Sequence, residues 1–282
     1  MRYGISTHLY HEDRLGRDHL VEIGSYGFDQ VEVFAARTHF DYHDAKAISE
    51  LARWLGETGL TLHSIHAPIV EGIVNGKWVG ALSLASADTG ARERALHETA
   101  CAIDIAREIP TGFLVLHLGL PDELVPPAGA DLRDAALDSL ERVVALAEPA
   151  GLRVAVELMP NQFSRSAALV EIVEDEVESA NVGICLDFGH AALEGDVVDA
   201  VETVAGLVVT THVHDNRGRS DDHLVPFEGT IDWPSVLTSL QKVGYEGTLM
   251  FELAGTRSAA PVLERTRAVR GRFERILGDG MR

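Results

Sequence analysis

The strongest constraint on this chain is a rhythm: a short β-branched or apolar run, then a segment with helical spacing, repeated eight times. The runs fall at residues 3–6, 30–34, 60–66, 113–118, 153–158, 182–186, 207–214 and 248–253. Between them, residues 44–58 place Ile48, Leu51 and Leu55 on one helical face. Residues 92–108 do the same with Leu96, Ala100, Ile103 and Ala106, and residues 131–150 with Leu137, Leu140 and Val144. Helical segments at 167–178, 196–204, 233–243 and 258–277 follow, and a short one at 19–26 opens the series. Gly27, Gly59, Gly151 and Gly244 each stand between a helix and the next strand, where a left-handed cap is needed. Alternating strands and helices predict a parallel sheet, and eight units predict an α/β fold closed into a (β/α)8 barrel, one domain over residues 1–282. The one long insertion, residues 69–90 with Trp78, reads as a lid or a packed surface loop.

Composition narrows the class. A hydrophobic share of 46% supports a globular core and excludes disorder. No run approaches the ~18 apolar residues of a membrane span, and the N-terminal MRYGISTHLY reads as a first strand, not a signal peptide. Cys101 and Cys185 are too few for a disulfide framework, so they read as core residues of a cytoplasmic protein. A net charge of −20 disfavours nucleic acid or an anionic membrane as partner.

Polar residues collect where such a barrel does chemistry, at the C-terminal ends of its strands. Glu157 (VAVELMP), Asp187 (ICLDFGH) and Glu252 (LMFELAG) end strands five, six and eight among apolar neighbours. A buried carboxylate without compensation is costly, and no matching set of Lys or Arg is in view, so the three call for a divalent cation. His212 and His214 alternate on strand seven and therefore face the same side. His190 follows Asp187 by three residues, His66 and His117 cap strands three and four, and Asp221 and His223 lie in the loop after strand seven. Carboxylate and imidazole donors suit manganese, zinc, cobalt or iron. His8, His11, His39, His43 and His63 read as loop histidines bonded to backbone, and no glycine-rich phosphate cradle is present.

The ordered motifs GFDQVEVF, SIHAP, VLHLG, VELMPN, LDFGH, HVHDN, DDHLVPFEGTIDW and LMFEL resemble the xylose-isomerase-like TIM barrel superfamily of sugar isomerases and epimerases, inosose dehydratases and abasic-site endonucleases of the endonuclease IV class. The resemblance implies a single-metal shell of Glu157, Asp187, His212 and Glu252, with His214 replacing His212 in some epimerases. It also implies further ligand positions at His66, His117, His190, Asp221 and His223, which complete a three-metal site in the nuclease members.

Charge separates these alternatives. Up to Gly255 the chain has 17 Lys and Arg against 41 Asp and Glu, a poor surface for DNA. A small sugar, keto-sugar or polyol is the expected substrate, with a metal-stabilised enediolate and with Glu157 and Glu252 moving the proton. His66, His190, His214, Arg217 and Trp78 are the expected substrate contacts. A sugar or inosose dehydratase on the same metal site and a multi-zinc phosphodiesterase are the alternatives. The number of ions and a homo-oligomeric state stay open from sequence.

Overall fold

The computed structural model describes residues 1–120, 130–177, 179–255 and 258–279. Eight parallel strands close a barrel: β1 (Arg2–Ser6), β2 (Gln30–Phe34), β3 (Thr61–His66), β6 (Phe113–Leu116), β7 (Arg153–Glu157), β8 (Val182–Asp187), β9 (Val208–Val213) and β10 (Thr248–Phe251). They stand in chain order around the ring, and β10 returns to pair with β1. Each lies within a residue or two of the run that predicted it. All four cap glycines have positive φ, between 72° and 83°.

Helices cover the outside: α1 (Arg17–Ser25), α2 (Ala45–Thr58), α3 (Thr89–Ile103), α4 (Ile105–Glu108), α5 (Arg133–Ala147), α6 (Ser166–Glu171), α7 (Phe188–Glu194), α8 (Val197–Thr203), α9 (Trp233–Lys242) and α10 (Ala260–Asp279). The segment read as one helix at 92–108 breaks at Asp104 into α3 and α4. The segment at 167–178 is α6 followed by a π-helical turn, Ile172–Glu176, and its end at Glu178 lies outside the described residues. Helix α7 was not anticipated. It starts on Asp187, whose Oδ1 accepts from the His190 amide at 2.7 Å, so the carboxylate that ends β8 also caps the next helix.

Insertion 69–90 contains an antiparallel hairpin, β4 (Val70–Val74) and β5 (Lys77–Ala81). Ile69, Val70 and Ile73 pack with Phe34 and Ala36, and Trp78 covers that small cluster. Both cysteines are free; Cys185 is buried and Cys101 partly so. Among the described residues no helix is long and apolar enough to cross a membrane.

Candidate active site

The floor of the barrel mouth is a ring of buried acids and imidazoles. Glu157, Asp187, His212 and His214 are fully buried, and Glu252, His66, His117 and His190 nearly so. Register explains the convergence: Asp187 pairs with His212 across β8 and β9, and Glu157 sits opposite Cys185 across β7 and β8. At the centre, Nδ1 of His212 lies 3.4 Å from Glu157 Oε2, 3.4 Å from Glu252 Oε2 and 3.7 Å from Asp187 Oδ2. Among the described residues that nitrogen has no hydrogen-bond partner, nor has Oε1 of Glu157. The ends of four strands, β7, β8, β9 and β10, thus bring Glu157, Asp187, His212 and Glu252 together around one point.

Tautomers around this centre are fixed by neighbours. His66 donates Nδ1–H to Ala67 O at 2.9 Å, His190 to Leu158 O at 3.0 Å, and His223 to Glu252 O at 3.1 Å. Their Nε2 atoms face inward, donating to the acids there: His66 to Glu157 at 3.4 Å, His190 and His223 both to Asp221 at 3.0 Å. With Nδ1–H held by a backbone carbonyl, Nε2 is the nitrogen that would bind a metal once its proton is lost. The donor atoms group into sets within 4.8 Å, among them His66–His117–Glu157, His66–His212–Glu252, Asp187–His190–His214 and His214–Asp221–His223. His223 sits at φ 44°, a left-handed conformation that costs a non-glycine residue energy.

Electrostatics within the cluster run in one direction. Burial would raise the Glu157 carboxyl, but the facing His117 and His212 hold it well below the usual carboxylate range. Asp187 is lowered against its burial by His190 and His214. Burial opposes protonation of His190, yet Asp187 and Asp221 carry it well above the ordinary imidazole value. Imidazole protons thus supply the positive charge that these anions require, and a divalent cation meets the same requirement.

The structure separates the two histidines of β9. His212 faces the central point, whereas His214 turns Nε2 to Asp187 at 3.0 Å and stacks on His223 at 4.2 Å between centroids. Gly189 of the DFGH motif makes this possible. A Cβ there would lie 1.9 Å from the His214 ring.

Above the floor, a cavity of about 240 Å³ is lined by His66, His117, Glu157, His190, Asp221, His223 and Glu252. Its opposite wall is Phe34, Ile69, Trp78, His8 and His11. His8 and His11 do bond to backbone, at Leu253 O and His8 O, as expected, but they also line the cavity and stack on one another at 4.7 Å. Burial and the neighbouring imidazoles of His223, His11 and His66 push His8 well below the ordinary value, so it faces the cavity neutral. His39 is bonded to Asp13 O, but His43 and His63 take side-chain partners, Glu98 and Thr210, instead of backbone.

Arg217 is not among the residues lining this cavity; its side chain is 63% exposed, with the guanidinium 3.7 Å from Asp222 in the loop after β9.

Sequence reasoning missed three residues here. Glu32, in the middle of β2, is fully buried and takes a hydrogen bond from Ser64 at 2.7 Å and one from His212 Nε2 at 3.1 Å. Burial alone would raise it, but His212 brings it down to about 2. Asp215, buried after β9, accepts from the amides of Asn216, Phe227 and Ile231 and from the Trp233 indole, and so folds the loop that carries Asp221 and His223. Cys185 lies beside Glu157 and His212, with burial pushing its thiol up to about 12. An acid in the middle of an otherwise apolar strand was the available signal for Glu32.

A closed parallel barrel with such a mouth defines the class of (β/α)8-barrel enzymes that act at the C-terminal ends of their strands. The chain belongs to the xylose isomerase-like TIM barrel family, whose model matches residues 20–272. An uncharacterized protein of Methanocaldococcus jannaschii is 29% identical over 266 residues, covering 92% of this chain and 86% of its own. A solved D-tagatose 3-epimerase-like protein superposes with a TM-score of 0.82 at 26% identity over 100% of both chains. The structure of IOLI protein with a zinc atom bound has the same fold, with a TM-score of 0.76 at 16% identity over 99% of each chain.

Proposed function

We propose that this enzyme is a divalent-metal-dependent isomerase or epimerase of a small neutral sugar, keto-sugar or polyol. One observation carries the reading: Glu157 and Glu252 bracket the unpartnered Nδ1 of His212 at 3.4 Å each, on the floor of a cavity for a single small molecule. Glu157, Asp187, His212 and Glu252 would hold the cation, and the unpartnered donor atoms fit that role. When bound, it supplies a Lewis acid for a carbonyl and its neighbouring hydroxyl.

The rest is done by side chains. Glu157, held in its ionised form, takes a proton from the carbon that bears that hydroxyl, and Glu252 returns one from the other side. Return to the neighbouring carbon isomerises the sugar, return to the opposite face of the same carbon epimerises it, and loss of a β-hydroxyl dehydrates it. His66 and His190 orient hydroxyls from the cavity wall, while Phe34 and Trp78 keep water out. No Lys or Arg is among the described residues lining the cavity, which favours an uncharged substrate. The test is Glu157→Gln with metal retained: turnover in a screen of ketoses and keto-inositols should fall by at least 10²-fold. Full turnover on the wild-type substrate sinks the assignment.

The flanking donor sets support a second reading, a phosphodiesterase with several metals. Metal analysis separates the two. About three tightly held zinc ions, together with cleavage of abasic DNA, favour the hydrolase; one ion favours the isomerase.

A further inference from the structure

We infer that Glu32 is a positioning residue that sets how tightly the central site binds metal, acting through His212. Nothing in the proposed reaction uses it, since it lies beneath the cavity and does not line it. Its place is nonetheless specific. A buried carboxylate can only accept, so the 3.1 Å contact requires His212 to carry its proton on Nε2. In the neutral ring, the form that binds a metal, the Nδ1 lone pair then points toward Glu157, Asp187 and Glu252, where three carboxylates already converge. With the opposite tautomer, an N–H would occupy that point.

The kind of acceptor is informative. His66, His190 and His223 are held by backbone carbonyls, which are neutral. Of these four imidazoles, His212 is the one whose nitrogen on the side away from the donor cluster is held by a carboxylate. An anionic acceptor makes the ring a stronger donor to a metal than a carbonyl does, and losing such an outer partner typically weakens metal binding ~10–100-fold. Ser64, donating to Glu32 at 2.7 Å, fixes the rotamer of that acceptor. The chain Ser64–Glu32–His212 therefore ranks the Glu157–Asp187–His212–Glu252 site ahead of the neighbouring donor sets for the first cation.

This inference rests on the metal-binding part of the proposed function, and its test keeps the two apart. Protein stripped of metal is titrated with Co²⁺ and with Zn²⁺ against a competing chelator, and the visible spectrum of bound Co²⁺ is recorded. For Glu32→Gln, which is nearly isosteric, the first-equivalent affinity should drop ~10–100-fold and the Co²⁺ spectrum should shift. Ser64→Ala should move both in the same direction by less. Glu32→Gln binding within twofold of wild type, with an unchanged spectrum, overturns the inference while leaving the proposed function intact. A wild-type protein that binds neither ion overturns both. If circular dichroism finds Glu32→Gln unfolded, Ser64→Ala decides alone, and an unchanged affinity and spectrum in it overturn the inference.

Discussion

Gly189→Ala tests whether the mouth is packed as tightly as its geometry requires. An added Cβ would stand 1.9 Å from Cε1 and 2.3 Å from Nδ1 of His214, against the ~3.5 Å of ordinary contact, so something must move by roughly 1.5 Å. Neither side gives easily. The His214 ring is held by Asp187 at 3.0 Å and by its stack on His223, and the Gly189 carbonyl accepts from Asn216 Nδ2 at 2.7 Å. Overpacking costs about 1–3 kcal/mol, and losing a hydrogen bond to a buried carboxylate adds about 1.5–3 kcal/mol. The expected loss is about 3–5 kcal/mol, read by urea denaturation. A double-mutant cycle with His214→Ala isolates the cause. With the ring gone, Ala at position 189 should cost nothing, or stabilise by up to about 1 kcal/mol, because alanine suits a helix better than glycine. An equal cost in both backgrounds would refute the argument.

Two further outcomes are expected. His39 is buried among Thr7 and the Asp13 carbonyl, and burial lowers it to about 4. Between pH 4 and 6.5 the unfolded chain binds a proton there that the folded chain does not, so acidification through this window costs up to about 3 kcal/mol. His39→Gln should flatten that slope relative to wild type in denaturation curves; identical slopes contradict it. Trp78, on β5, lies within 6.1–6.4 Å of Phe34, His8 and His11 across the cavity wall. Trp78→Ala should raise KM roughly tenfold, about 1.4 kcal/mol, on whichever sugar the wild type turns over, and an unchanged KM removes Trp78 from substrate contact.

Much of the site was legible because it follows strand ends. An acid that terminates an apolar run, as Glu157 and Asp187 do, announces itself wherever strands end at a mouth. Glu32 did not, because both faces of a barrel strand are buried. Alternation along QVEVF therefore does not say which residues point inward to the barrel axis and which outward to the helices. The position of Arg217 was hidden for the complementary reason: charge marks a residue as polar, but the path of a loop decides whether it faces cavity or solvent. His8 and His11 lie far in sequence from the other cavity residues, and only closure of β1 against β10 carries them there.

Local physics, then, was written in the chain itself: eight strand-and-helix units, four left-handed glycine caps, and acids at strand ends that demand a counter-charge. Tertiary structure decided what depends on distance between remote segments. It set His212 rather than His214 at the central point, placed Glu32 behind it across 180 residues, and required a bare glycine against the His214 ring. Such choices are made when the barrel closes, because a 3 Å contact between strands depends on register and side-chain direction, which periodicity alone does not encode.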